Sequence, residues 1–133
     1  MSAGKSFMAL VIPVDPEEPI HRVEVVGDTL TRLQELVSDP DGPKGYIEAV
    51  PYPPGPDADA LTTYVNEEGK LNGMPRNERA TALMKPGLFP NDWIAGPLVI
   101  CGFNPETGES TDIPDWFESR GHLVPTTRLG RPA

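Results

Sequence analysis

A chain of 133 residues has room for one hydrophobic core, and 38% apolar residues with 17 prolines make that core modest and its connections long. The net charge of −9 repels phosphate and sets direct nucleic-acid binding aside as a general activity. One cysteine, Cys101, excludes an intrachain disulfide and fits a reducing cytoplasm. No stretch nears the roughly 20 apolar residues of a membrane span, and no signal-peptide run opens the chain.

The charge is unevenly spread. All 20 acids lie at or before Glu118, while Arg120, Arg128 and Arg131 follow with no acid among them. The expected organisation is one acidic α+β domain over 1–118 and a basic, flexible tail over 119–133.

Taken in order, 1–6 is small and polar and expected to fray. Phe7 to Ile12 is apolar throughout, which suits a central strand buried on both faces. Three prolines and three acids make 13–19 a loop. Alternation over 21–26 gives a half-buried strand that Gly27 ends. Asp28 can cap a helix whose apolar face is Leu30, Leu33, Leu36 and Val37, with Arg32 and Glu35 toward water. The run 38–43 stops that helix.

A third strand is expected over 45–50. Pro51/Pro54 and Pro53/Pro56 then give two P-x-x-P spacings, open to reading as a docking ligand or as a stiff loop. Residues 62–65 are strand-like, 67–70 turn-like. Pro75 suits the first turn of a short helix carrying Ala80, Leu83 and Met84, which Pro86-Gly87 ends. A strand over 92–102 bends at Gly96-Pro97, and 104–109 is a turn. Asp112 before Pro114 suits a last helix start, with Trp116 and Phe117 pinning it. The expected fold is α+β: one small mixed, mainly antiparallel sheet of about five strands, with two or three short helices on one side.

Residues 64–79 hold the densest chemistry. Arg76 near a helix N-terminus can fork onto a carboxylate or phosphate, where free N–H groups add positive character. Asn66, Asn72 and Asn77 both donate and accept. Together these can form a hollow for a small anionic ligand such as a nucleotide. The competing reading pairs Arg76 with Glu67 or Glu68 and makes Asn77 a helix cap. Lys70 and Arg79 belong to the same candidate set. Asp92 and Trp93 join it if the last strand lies beside the 62–66 strand, with the indole stacking on a ring or serving as core. Glu67 and Glu68 diverge as neighbours, so each is a lone base or a solvated acid. His21, His122 and Cys101 contain no close pair, so no metal site, cofactor or histidine-based catalytic set is expected. No phosphate-cradling loop is present.

The runs 64–71, 75–80 and 92–100, above all Asn66 to Gly69, Pro75 to Asn77 and Asp92 to Gly96, resemble the family known as domain of unknown function 3846. The resemblance covers roughly residues 7–102. It implies a phage, plasmid or actinobacterial setting and brings no activity with it. The leading functional expectation is a non-enzymatic binding protein of a mobile element that modulates or inhibits a host protein, in the host cytoplasm. The alternatives are a small-ligand binder using 64–79 and an enzyme with Glu67 or Glu68 as base. Homo-oligomerisation is open.

Overall fold

The computed structural model describes residues 6–38, 45–50, 60–114 and Phe117. The expectations for 1–5, the helix stop at 39–43, the proline run 51–56, Trp116, His122 and the tail lie outside these residues.

Strand β1, Phe7–Ile12, is apolar at every position because both of its faces are covered, with Met8 alone among its six residues partly exposed. Phe7, Ala9 and Val11 enter one core cluster, and Leu10 and Ile12 enter another. Alternate residues of a strand point to opposite faces, so two cores on one strand mean a sheet covered on both sides. The sheet is antiparallel at each described pairing and runs β2-β1-β5-β4-β3. Its other strands are β2 (His21–Val25), β3 (Ile47–Val50), β4 (Leu61–Asn66), β5 (Leu98–Asn104) and β6 (Glu109–Thr111). Strand β5 lies at the centre. Leu10 pairs with Ile100, and Thr63 with Ile100 on the other side. Beyond β1, the far half of β5 pairs with β6 instead, Phe103 opposite Ser110. The 104–109 turn is therefore the bend of a hairpin, and a sixth strand follows it.

Helix α1, Thr29–Val37, starts at Asp28, whose carboxylate accepts from Thr31 N at 3.4 Å and Thr31 Oγ1 at 2.9 Å. Leu33 and Val37, one turn apart, pack on Val11, Val99 and Cys101 of one sheet face. Burying each contributes roughly 1.5–3 kcal/mol. Helix α2, Glu78–Met84, sets Ala80 and Met84 against Leu10, Leu98 and Ile100 on the opposite face. The expectation of helices on one side is corrected: six consecutive apolar residues in β1 need cover on both.

Two smaller corrections follow. Leu30 is 53% exposed, and Thr29 takes the buried place one residue earlier. Pro75 precedes α2 rather than opening it, because Arg76 is held in a bridge to Ala95. Asp112 ties two strands: its carboxylate accepts from Met8 N at 2.8 Å, and Ile113 N donates to Met8 O, while Phe117 beyond it is helical. This lays the chain after β6 along β1 and brings the fully buried Phe117 into the α2-side core.

Candidate functional site

Two asparagines of the 64–79 stretch hold the architecture. Asn77 is fully buried, and its amide has every partner it needs. Oδ1 accepts from Ala80 N at 3.0 Å, and Nδ2 donates to Ile12 O at 2.9 Å and Gly96 O at 3.0 Å. Its backbone N–H donates to Ile94 O at 2.8 Å, and Ile94 N donates to Thr81 Oγ1 at 2.9 Å. One side chain thus caps α2 and ties it to the end of β1 and the approach to β5. Gly96 is part of this junction, with φ 80° and only 2.9 Å between an added Cβ and Met74 Cε.

Asn66 does the same on the other face. Its Nδ2 donates to Val37 O at 3.2 Å, a carbonyl that the end of α1 leaves open, and its Oδ1 accepts from Glu68 N at 2.8 Å. The turn that follows closes through Gly69 N to Asn66 O at 3.1 Å and Met74 N to Gly69 O at 2.9 Å. Gly69 sits close to Ala95, with an added Cβ 3.2 Å from both the Ala95 Cβ and its carbonyl oxygen, so a side chain there would need the 92–95 segment to give by a few tenths of an ångström.

That packing makes a cleft. The 66–71 turn, the 87–95 segment and strands β3 and β4 enclose about 370 Å³ on the α2 side of the sheet. Val50, Val65, Leu88 and Ile94 belong to or pack on the core beneath. Leu71, 86% exposed, and Phe89, 81% exposed, come from two separate segments and line the same cleft. Lys70 Nζ lies 4.9 Å from the centre of the Trp93 ring and pairs with the Asp92 carboxylate. That bond, then the Trp93 N–H at 2.8 Å, holds the Asp92 carboxyl below the usual carboxylate range, against a smaller upward push from burial. Glu48 and Glu67 add two more acids to the lining.

The sequence-predicted residues therefore separate. Glu67, Lys70, Asp92 and Trp93 gather in the cleft, and Asn66 forms part of its wall with the amide turned away. β4 does pair with β5, the condition under which Asp92 and Trp93 join the site. Arg76 and Asn77 do not come to the same hollow: Arg76 is exposed and its Nε donates to Glu78 at 3.2 Å, and Asn77 is inside. Glu68 and Asn72 are exposed outside the cleft lining, joined by the Asn72 N–H to Glu68 O bond of 2.9 Å. Arg79 Nη2 donates to Pro13 O and Asp15 O, both at 2.8 Å, and so clamps the acidic 13–19 loop. Its Nε and Nη1 are buried with no hydrogen-bond partner among the described residues. Burial lowers its pKa, opposed by Asp15 and Glu18.

Sequence reasoning missed Glu48, Leu71, Leu88 and Phe89. For Leu71, Leu88 and Phe89 the available signal was a bulky apolar residue inside a turn or proline-flanked loop, where nothing in the local pattern offers it a core; Glu48, a strand acid, gave none. Two other chemistries find little footing. Burial pushes the Cys101 thiol up to about 12, so at neutral pH it is no nucleophile. Among the described residues no three His, Cys, Asp or Glu side chains lie close enough together to hold a metal ion, and no helix is long and apolar enough to cross a membrane.

No curated protein matches the sequence. Among solved structures, the fold resembles part of the crystal structure of small RNA methyltransferase HEN1, with a TM-score of 0.56 and 16% identity. That match covers 86% of this chain and only 16% of the larger protein, so it speaks to the fold alone. The family profile described as Domain of unknown function (DUF3846) matches residues 8–122, and the chain belongs to that family.

Proposed function

We propose that this protein is a small binding module of a mobile element that engages a host protein through the α2-side cleft. The carrying observation is the pair Leu71 and Phe89, 86% and 81% exposed, on separate segments that line one cleft. Large apolar side chains held in water on a packed scaffold mark interaction surfaces, and aromatic anchors in a pocket dominate binding energy where partners meet. The charged rim of Lys70, Asp92, Glu48 and Glu67 fits the polar border of such an interface.

The small anionic ligand reading loses support from the same geometry. Arg76 and Asn77 lie outside the cleft, and Lys70, the one cation lining it among the described residues, is already paired among three acids. The test is site-specific photo-crosslinking in host cells, with the crosslinker at Leu71, Phe89 or, as a control on the other face, Leu30. One protein of defined mass captured from positions 71 and 89 but not 30 supports the reading. Equal capture from all three positions, or none from any, rejects it.

A further inference from the structure

The cleft already contains a cation on an aromatic face: Lys70 Nζ lies 4.9 Å from the Trp93 ring centre and pairs with Asp92. A cation within about 6 Å of an indole face is held by the ring's negative face. Lys70 holds that place loosely. Its side chain is 48% exposed and Asp92 is 33% exposed, so water competes for both. Glu48, Glu67 and Asp92 line the same space, and among the described residues Lys70 alone balances them. Among the described residues no three acids approach closely enough to hold a metal ion, and an extended organic cation can span carboxylates that stand apart. Leu71 and Phe89 beside them suit aliphatic neighbours of that cation.

Resting on the binding-module reading, we infer that the cleft receives an arginine side chain of the partner, flanked by aliphatic residues, and that Lys70 is a resident cation which the arginine displaces. A guanidinium is planar, stacks on indole, forks onto a carboxylate and is less strongly hydrated than an ammonium. It therefore outcompetes Lys70 at both contacts at once. The freed Lys70 swings into solvent, so its removal strengthens binding.

The test uses the full chain in a Trp116→Phe background, so that Trp93 is the one tryptophan, titrated with acetyl-Leu-Arg-Leu-amide and with the neutral isostere acetyl-Leu-citrulline-Leu-amide. The arginine peptide binds about tenfold tighter than the citrulline peptide and changes the Trp93 emission. Lys70→Met binds the arginine peptide about fivefold tighter still, and Asp92→Asn erases the preference over citrulline. Arg32→Met, the same charge change on α1, leaves binding as in the parent and separates a local effect from net charge. Equal binding of the two peptides overturns the arginine proposal, and so does a Lys70→Met variant that binds no tighter than Arg32→Met. If Lys70→Met does not fold, the arginine-to-citrulline ratio in the parent chain decides. Equal binding of both peptides that disappears in Leu71→Ser/Phe89→Ser leaves the binding-module reading standing while the arginine proposal falls. No binding by either peptide, together with no crosslinked partner, ends both.

Discussion

The entrance of α2 and the cleft lie a few residues apart in sequence and treat polar atoms in opposite ways. At the entrance, Asn77 is fully buried and its amide bonds only backbone groups, two of them from distant parts of the chain. In the cleft, Lys70 and Asp92 bond each other and lean on Trp93, with both side chains still partly exposed to solvent. A buried amide with every partner present is fixed, because any alternative leaves a polar group orphaned. A half-exposed ion pair exchanges partners at little cost. The first is architecture, and the second is available for recognition.

The strongest way to break this comparison is at Asn77. Asn77→Ala removes a cap, at about 0.5–2 kcal/mol, and strands two buried carbonyls, at about 1–3 kcal/mol more. A loss of about 3 kcal/mol, read as a fall of roughly 10 °C in Tm, is expected. Asn77→Asp keeps the acceptor and loses the donors, so it falls about as far. Retention of the parent Tm by Asn77→Asp would mean the clamp to Ile12 and Gly96 matters little.

Gly96→Ala comes next. A side chain at φ 80° costs about 1–2 kcal/mol, and the Met74 methyl in its path adds to that. Denaturant titration should show the midpoint falling with an unchanged slope. Leu71→Ser with Phe89→Ser should change stability by no more than about 0.5 kcal/mol, as surface changes do, while crosslinking to the partner is lost. A much larger fall in Tm would make these residues core, and the cleft's lips would cease to be a binding surface.

The smallest effect concerns pH. Asp92 titrates lower in the fold than in the unfolded chain, chiefly through its bond to Lys70. Its contribution is complete above the unfolded carboxylate pKa and disappears as pH falls through the lowered, folded one. Melting curves of the parent and Asp92→Asn should therefore differ by at most about 1 kcal/mol at neutral pH and converge in strong acid. A difference that grows on acidification would reverse the assignment.

Much of the fold was legible because single-residue periodicity decides it. Phe7 to Ile12 announced a doubly buried strand, Asp28 a cap, and Pro86-Gly87 the end of α2. What the pattern did not carry was which face each helix covers, since that depends on crossover geometry and not on local spacing. The site was half legible for the same reason. Lys70, Asp92 and Trp93 meet because β4 lies against β5, which the sequence allowed without requiring. Asn66 and Asn77 were credited with free hydrogen-bonding capacity that distant carbonyls, Val37 O and Ile12 O among them, take up, while Arg76 turns to Glu78 two residues on. Long-range backbone partners leave no trace in local composition.

The placement of β5 has a kinetic consequence. During synthesis β1 and β2 emerge early and can form a hairpin, but Leu10 must wait for Ile100 before the sheet closes. Until then α1 can cover the Phe7, Ala9 and Val11 row of β1, while the Leu10 and Ile12 row lacks Leu98 and Ile100. Such delayed non-local pairing slows folding and exposes nascent chains to aggregation.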